Sequence, residues 1–513
     1  MGMRQSVAAR TLRTTPGSKA RWGEAAQKRF AVCYTNRTAL QHEFSRFVPP
    51  DTEPRATGVP PGARGGFRWS WVHGRFANRP YGVVGEAGGF LPACYDRPMH
   101  RDAAGSGTAL AGTLPEEKPL DYRPVLLAVA VATAGVLPAF LTGGLAVQVR
   151  GEMGFGSAAL GLAVALFFVS SSTASVVMGR AVERIGAHRG MRLAALGSAV
   201  SLLCVALFAG SWWGLVACLA FGGLANAVAH PATHLSLARE VPEGRQGYSF
   251  GIKQAAIPSA TLLAGLAVPG IALTFGWRWA FAGGAVLAMA VALLVPKERT
   301  GGVEKVAEAR SSDAPMGPLV LLAVGIGLGS AAATPLGAFV VESSVATGLG
   351  VGTAGLLLAL GSAASIVVRV LFGRLADGMG GGRLLLVGGM LGAGVAGFVM
   401  LATGSPALVV PGVLLAFAAG WGWPGLFNFA VVRSNPGAPA AATGVTQTGA
   451  SGGAAAGPIL FGLVVEASGY GAAWMFSGVL ALVALVAILA GRRMVLRGRA
   501  APRAPFTNAR ENG

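Results

Sequence analysis

The chain has 513 residues, 53% of them hydrophobic and only 12% charged, with a formal net charge of +19 and a mean hydropathy of +0.57. A soluble globular chain carries about 25% charged residues, so this composition excludes water as the solvent for most of the surface and makes a bilayer the expected one. The positive excess does not read as nucleic-acid binding: in the apolar part Lys and Arg stand at the edges of apolar runs, and no nucleic-acid motif accompanies them.

Residues 1–120 are a different material, with seventeen Lys or Arg against nine Asp or Glu and scattered Pro and Gly, as in PPDTEPRATGVPPGARGG from Pro49. No apolar run there approaches the ~20 residues that span a bilayer, and no apolar stretch precedes a signal cleavage site. The early excess of Arg resembles a transit peptide in composition only. The expectation is a disordered, dispensable extension, or one produced by a start codon set too far upstream. Cys33 and Cys94 lie in it, whereas Cys204 and Cys218 fall inside apolar runs, where buried free thiols are expected.

From Arg123 twelve apolar runs follow, at about 124–148, 157–178, 191–209, 212–238, 247–270, 276–296, 318–342, 351–372, 384–404, 407–432, 440–466 and 471–490. Each is near the length of a spanning helix, and helix is the required form because an open sheet cannot satisfy its backbone in lipid. Pro138, Pro231, Pro335 and Pro424 fall inside runs and predict kinks. Connections after even-numbered runs carry the bulk of the Lys and Arg, whereas those on the other side carry only Arg150 and Arg278. The basic side is therefore the expected cytoplasmic side, with both termini on it and the plasma (cell inner) membrane as the location. Residues 121–296 and 318–491 form two six-helix halves, 297–317 reads as a solvated cytoplasmic linker, and 492–513 as a basic cytoplasmic tail.

The halves are related by an internal repeat. GRAVERIGAHR at Gly179–Arg189 returns as GRLADGMGGGR at Gly373–Arg383, offset by 194 residues. Gly179, Arg180, Glu183, Gly186 and Arg189 pair in kind with Gly373, Arg374, Asp377, Gly380 and Arg383. GIKQ at Gly251–Gln254 matches GVTQ at Gly444–Gln447, and WAFAG from Trp279 matches WMFSG from Trp474. Six helices per unit make the halves parallel, related by an axis along the membrane normal. Gly449, Gly453 and Gly457 form two overlapping GxxxG steps, expected to serve helix packing.

These features resemble the major facilitator superfamily of secondary transporters over about residues 121–491. That superfamily places G-x-x-x-[DN]-[RK]-x-G-[RK]-[RK] between helices two and three, with a degenerate copy between eight and nine. Gly179, Glu183, Arg184 and Gly186 fit the spacing, with Glu for the usual Asp; Gly373, Asp377 and Gly380 fit the second copy. The resemblance implies an all-α membrane fold of twelve transmembrane helices, alternating access, and a gating role for the two motifs, whose acids can pair with a basic residue or a helix N-terminus. It implies a transporter rather than an enzyme, with no cofactor and no metal, an open coupling ion, and the lipid bilayer and a small-molecule solute as partners of a monomer. Run five lacks the Gly-Pro-x-x-Gly-Gly element of drug/proton antiporters, which makes drug/proton efflux the weaker transport reading.

Polar residues inside the runs are few. Asn226, His230, Thr233 and His234 share one face of run four by their spacing of 3 and 4. Lys253 and Gln254 stand early in run five, opposite Thr446 and Gln447 in the repeat; Trp423 corresponds to His230, and Asn428 adds a polar group to run ten. The resemblance makes these substrate-cavity candidates. Against that stand a kinked helix whose imidazoles bond backbone, and a Lys253 that snorkels to the interface. Glu342 and Glu466 fall at run ends and are expected to be interfacial. No Asp or Glu stands mid-membrane, so proton coupling through a carboxylate is not supported, and an anionic solute with Lys253 as counter-charge is the hypothesis. The alternative from another class is a polytopic membrane enzyme or sensor using His230 and His234.

Overall fold

The structure is a computed structural model that describes residues 121–242, 246–297, 316–379, 381–435 and 438–500. The extension 1–120, most of the 297–317 connection and the last residues of the tail lie outside the described residues, as do Gly380, Arg245, Arg299, Lys305 and Arg310.

The described chain is helical throughout. The spans are α1 (Arg123–Gly144), α2 (Ser157–Ile185), α3 (Ala187–Phe208), α4 (Trp212–Glu240), α5 (Gly251–Phe275), α6 (Trp277–Leu294), α7 (Met316–Ala346), α8 (Val351–Gly378), α9 (Arg383–Ala402) and α10 (Pro406–Ser434). A last helical stretch, Pro439–Ala500, is 62 residues long, about three times the ~20 residues that span a bilayer core at about 1.5 Å per residue. It breaks at Gly469, where φ is 81° and ψ 175°, a region that L side chains avoid. The break divides it into α11 (439–468) and α12 (470–500), which completes the twelve expected spans. Gly186 turns the chain between α2 and α3 in the same way, at φ 95°.

Lipid as solvent explains which residues face out. Leu207, Phe208, Val286, Leu293, Leu294, Val367 and Val486 are 59–77% exposed, a pattern that water would penalise and hydrocarbon does not. Inside, small residues let backbones touch. Gly449, Gly453 and Gly457 of α11 lie against Ala323, Gly327 and Ala331 of α7, so closely that an added Cβ would overlap backbone. The GxxxG steps therefore do the packing expected of them. Cys204 and Cys218 are free thiols as expected, but only half-buried.

The two halves meet along matched helix pairs. Gly143 of α1 abuts Gly337 and Ala338 of α7; Gly161 of α2 abuts Pro458 and Ile459 of α11; Gly265 of α5 abuts Gly355 and Ala359 of α8. The first two contacts lie towards the end of the bundle opposite the basic turns, here called the far end. A short helix after α1, Ala146–Met153, brings Arg150 there. The outer stretches of α1 (Val131–Gly144) and of α7 (Ala331–Ser344) are buried on every side, whereas both helices are only partly covered nearer the basic end.

Candidate functional site

Each repeated motif is less of a loop than its composition implied. Gly179, Arg180, Glu183 and Arg184 belong to the last turns of α2, and Arg189 to the first turn of α3; only Gly186 is non-helical. In the second copy Gly373, Arg374 and Asp377 are helical in α8, and Arg383 opens α9 after Gly382 at φ 81°. Glu183 and Arg184 are exposed. Around them His188 Nε2 lies 3.4 Å from Glu240 Oε1, and Arg192 donates to the Val295 carbonyl at 2.6 Å, tying α3 to α4 and to the end of α6. Arg383 donates to the Met379 carbonyl and lies 5.0 Å over the Phe429 ring.

Of the carboxylates at the far end, Glu342 is buried, although its position at a run end had suggested an interfacial group, whereas Glu466 is exposed as expected. Glu342 is 7% exposed and accepts from Arg150 Nη1 at 2.5 Å and from the Tyr470 hydroxyl at 3.1 Å. Glu466 Oε1 accepts from the Ala158 amide at 2.9 Å, capping the N-terminus of α2 from the other half. Both bonds join one half to the other, which a reading of helix ends one at a time could not show. Glu152 accepts from Arg278 at 2.5 Å and from the Trp277 indole at 2.6 Å. These donors hold its carboxyl below the usual value.

Between the far end and the basic end an aromatic layer crosses the seam. Phe140 of α1 meets Phe168 of α2 at 6.2 Å and Trp421 of α10 at 5.7 Å, both edge-on, and Trp421 rests on Phe417.

Towards the basic end the polar candidates divide. Lys253, His230 and His234 come together: the buried ammonium lies 2.9 Å from His234 Nε2 and 3.3 Å from His230 Nδ1. Lys253 thus reaches inward to α4 rather than snorkelling to the interface. His234 is exposed and His230 half-buried. Asn226 does not join them. Four residues turn a helix by about 400°, so Asn226 sits about 40° round from His230, and its Nδ2 donates to Ser171 of α2 at 2.9 Å. Its Oδ1 faces Gly135 of α1, buried and without a hydrogen-bond partner among the described residues. Thr233 and Thr446 are fully buried and bond carbonyls of their own helices. Trp423 is 0% exposed, packs against Gly329 of α7 and is no cavity residue in this state. Its indole donates at 2.8 Å to the Gly420 carbonyl, which Pro424 leaves without a ladder partner. Asn428 is half-buried and Gln447 exposed. Among the described residues no cluster of His, Cys, Asp and Glu could hold a metal ion.

One residue escaped the sequence reading. Arg369 lies inside α8, 6% exposed, and donates to the Gln254 carbonyl at 2.8 Å and the Trp421 carbonyl at 2.5 Å. Its Nε lies 3.4 Å from Ser365 Oγ. The Gln254 carbonyl is free because Pro258, four residues on, has no N–H to offer. Gln254 thus enters the site through its backbone. The signal was there: one Arg within an apolar run, where the repeat has Ser175.

Fold and site together define a membrane protein of two six-helix halves, sealed against each other at one end, with buried cations on the opposite side of the aromatic layer. The sequence profile of the Major Facilitator Superfamily matches residues 125–326 and 319–511. The chain belongs to that superfamily. Among solved structures, a bacterial homologue of the human lysosomal transporter Spinster, in an inward-facing and occupied conformation, is similar at a TM-score of 0.57 and 15% identity, covering 74% of this chain and 98% of that one. The xylose transporter XylE from E. coli, in a partially occluded inward-open conformation, is similar at 0.58 and 16%, covering 71% and 97%. No curated protein matches the sequence. At these identities the structural likeness speaks for the fold.

Proposed function

We propose that the protein is a secondary active transporter that moves a small anionic solute by alternating access between its two halves. The observation that carries the charge class is Lys253, buried among helices with imidazole nitrogens as the only side-chain partners of its ammonium among the described residues. An ionisable group in a span costs about 3 kcal/mol on insertion scales and is retained for function as a rule. The described acids Glu152, Glu342 and Glu466 lie at the far end and Asp121, Glu183, Glu240 and Asp377 at the basic end of their helices, so none is placed at the depth of Lys253. Neutral imidazoles accept from the ammonium without removing its charge, and the exposed His234 gives the cluster an open side. Family membership supports transport over an enzyme or sensor built on His230 and His234. The Lys/Arg asymmetry supports a cytoplasmic basic end with both termini on that side, and we place the protein in the plasma membrane as a monomer.

The test is counterflow in proteoliposomes, in which a carrier exchanges its solute unchanged and an enzyme converts it. Lys253→Gln should raise the half-saturation concentration of an anionic solute by about tenfold, the loss of one charge-assisted bond, while insertion and accumulation stay normal. Lys253→Arg should be milder without being neutral. An unchanged half-saturation would leave Lys253 a structural partner of the histidines, and exchange of cations alone would refute the anionic reading.

A further inference from the structure

Arg369 has a structural duty and an unexplained charge. The duty is plain, because its guanidinium fills two carbonyls where α5 and α10 lose their ladders, those of Gln254 and Trp421. A neutral donor does that elsewhere in the same molecule, where the Trp423 indole fills the Gly420 carbonyl. Capping therefore does not call for a cation. A buried cation among neutral groups is costly unless an anion completes it.

Position makes the excess charge meaningful. Arg369 lies nine residues inside the basic end of α8 at Gly378, and Lys253 seven residues inside the helix that starts at Gln246. At about 1.5 Å per residue these depths are about 13 Å and about 10 Å. Gln254, whose carbonyl holds Arg369, is the next residue after Lys253, so the two cations flank one break in α5. They come from opposite halves: Lys253 from the first, Arg369 from the second. Of the described residues, none pairs either with a carboxylate. The repeat gives Thr446 and Ser175 at the equivalent places, so each half supplies one cation, at a different position.

Resting on the anionic reading above, we propose that the carried solute is a small dianion, with Lys253 as its contact in one half and Arg369 as its contact in the other. A guanidinium suits the second role because its planar fork keeps donors free after two carbonyls are served. One ligand that engages both halves would also draw them together, so that binding and closure become a single event. Dicarboxylates, sulfate and hydrogen phosphate share the required chemistry.

The full-length protein in detergent is titrated at constant ionic strength with propionate, malonate, succinate, sulfate and phosphate, reading thermal stabilisation, and the best binder is then followed in proteoliposomes. The expected result is that one or more dianions bind about tenfold more tightly than propionate. Arg369→Gln should erase that preference, bringing the dianions down to the affinity of propionate for the same variant, and Arg369→Lys should keep most of it. Stabilisation by sulfate or phosphate alone would identify an inorganic dianion, and by malonate or succinate alone a dicarboxylate; both support the proposal. If propionate binds as tightly as the dianions to the unmodified protein, the proposal falls and the anionic reading stands, a comparison that needs no variant to fold. A dianion preference that survives in Arg369→Gln also overturns it, leaving Arg369 a cap for carbonyls. Binding of neutral or cationic solutes and of no anion would overturn both readings.

Discussion

Replacing Glu342 with Gln removes the charge from a bond that exists only when the far ends of the halves are together. Glu342 is 7% exposed and Arg150 23%, with 2.5 Å between donor and acceptor. Hydrogen bonds to charged groups contribute about 1.5–3 kcal/mol. The partial exposure of Arg150 lowers that, and Gln keeps an acceptor for Tyr470 at the same place. A loss of about 2 kcal/mol is the resulting expectation, a shift of about 30-fold at about 1.4 kcal/mol per decade. The sign is fixed by geometry: the variant should favour the state open at the far end. Spin labels at Gly210, in the far-end turn between α3 and α4, and at Ala407, in the first turn of α10 at the far end of the other half, report the separation once the native cysteines are replaced. The unmodified protein should show mostly the shorter distance, and Glu342→Gln should add a longer population. In a double-mutant cycle, Arg150→Met combined with Glu342→Gln should cost little more than either change alone. An unaltered distance distribution in Glu342→Gln would show that the pair does not hold this end shut.

Gly453→Val should lower the midpoint of thermal unfolding in detergent, because the added side chain meets the backbone of Gly327 and overpacking costs about 1–3 kcal/mol. Gly452→Val, where a Cβ meets nothing within 4 Å, is the control and should be close to neutral. Within 343–350, single cysteines at the exposed positions 346, 348 and 350 should react with an impermeant reagent on intact cells and those within 300–312 should not; the reverse pattern would invert the proposed topology. A chain starting near Thr113 should insert and transport like the full one, and loss of accumulation or activity on truncation would show that the extension contributes.

Much of the architecture was legible without coordinates, and the reason is the solvent. Lipid demands uninterrupted helices about 20 residues long, so the apolar runs from Arg123 to Arg492 mark the spans, and the repeat between Gly179–Arg189 and Gly373–Arg383 marks the halves. The GxxxG steps at Gly449, Gly453 and Gly457 were readable as packing because only glycine allows such approach. Helix ends were less legible, since α2 and α8 run on past their last apolar residues as polar turns that hydropathy reads as loop.

What the tertiary structure decided is which groups meet across the seam. Spacing put Asn226 with His230, but the turn of α4 carries it to Ser171. Glu342 and Glu466 resembled ordinary helix ends, and their partners Arg150 and Ala158 lie 192 and 308 residues away. Arg369 showed in the sequence only as one Arg within an apolar run, and its partners, the carbonyls of Gln254 and Trp421, did not show at all. A carbonyl becomes an acceptor there only because the ladder fails in α5 and α10, and which side chain then reaches it is set by how the helices pack. Composition and periodicity determine what each helix is; long-range contact determines what each polar group does.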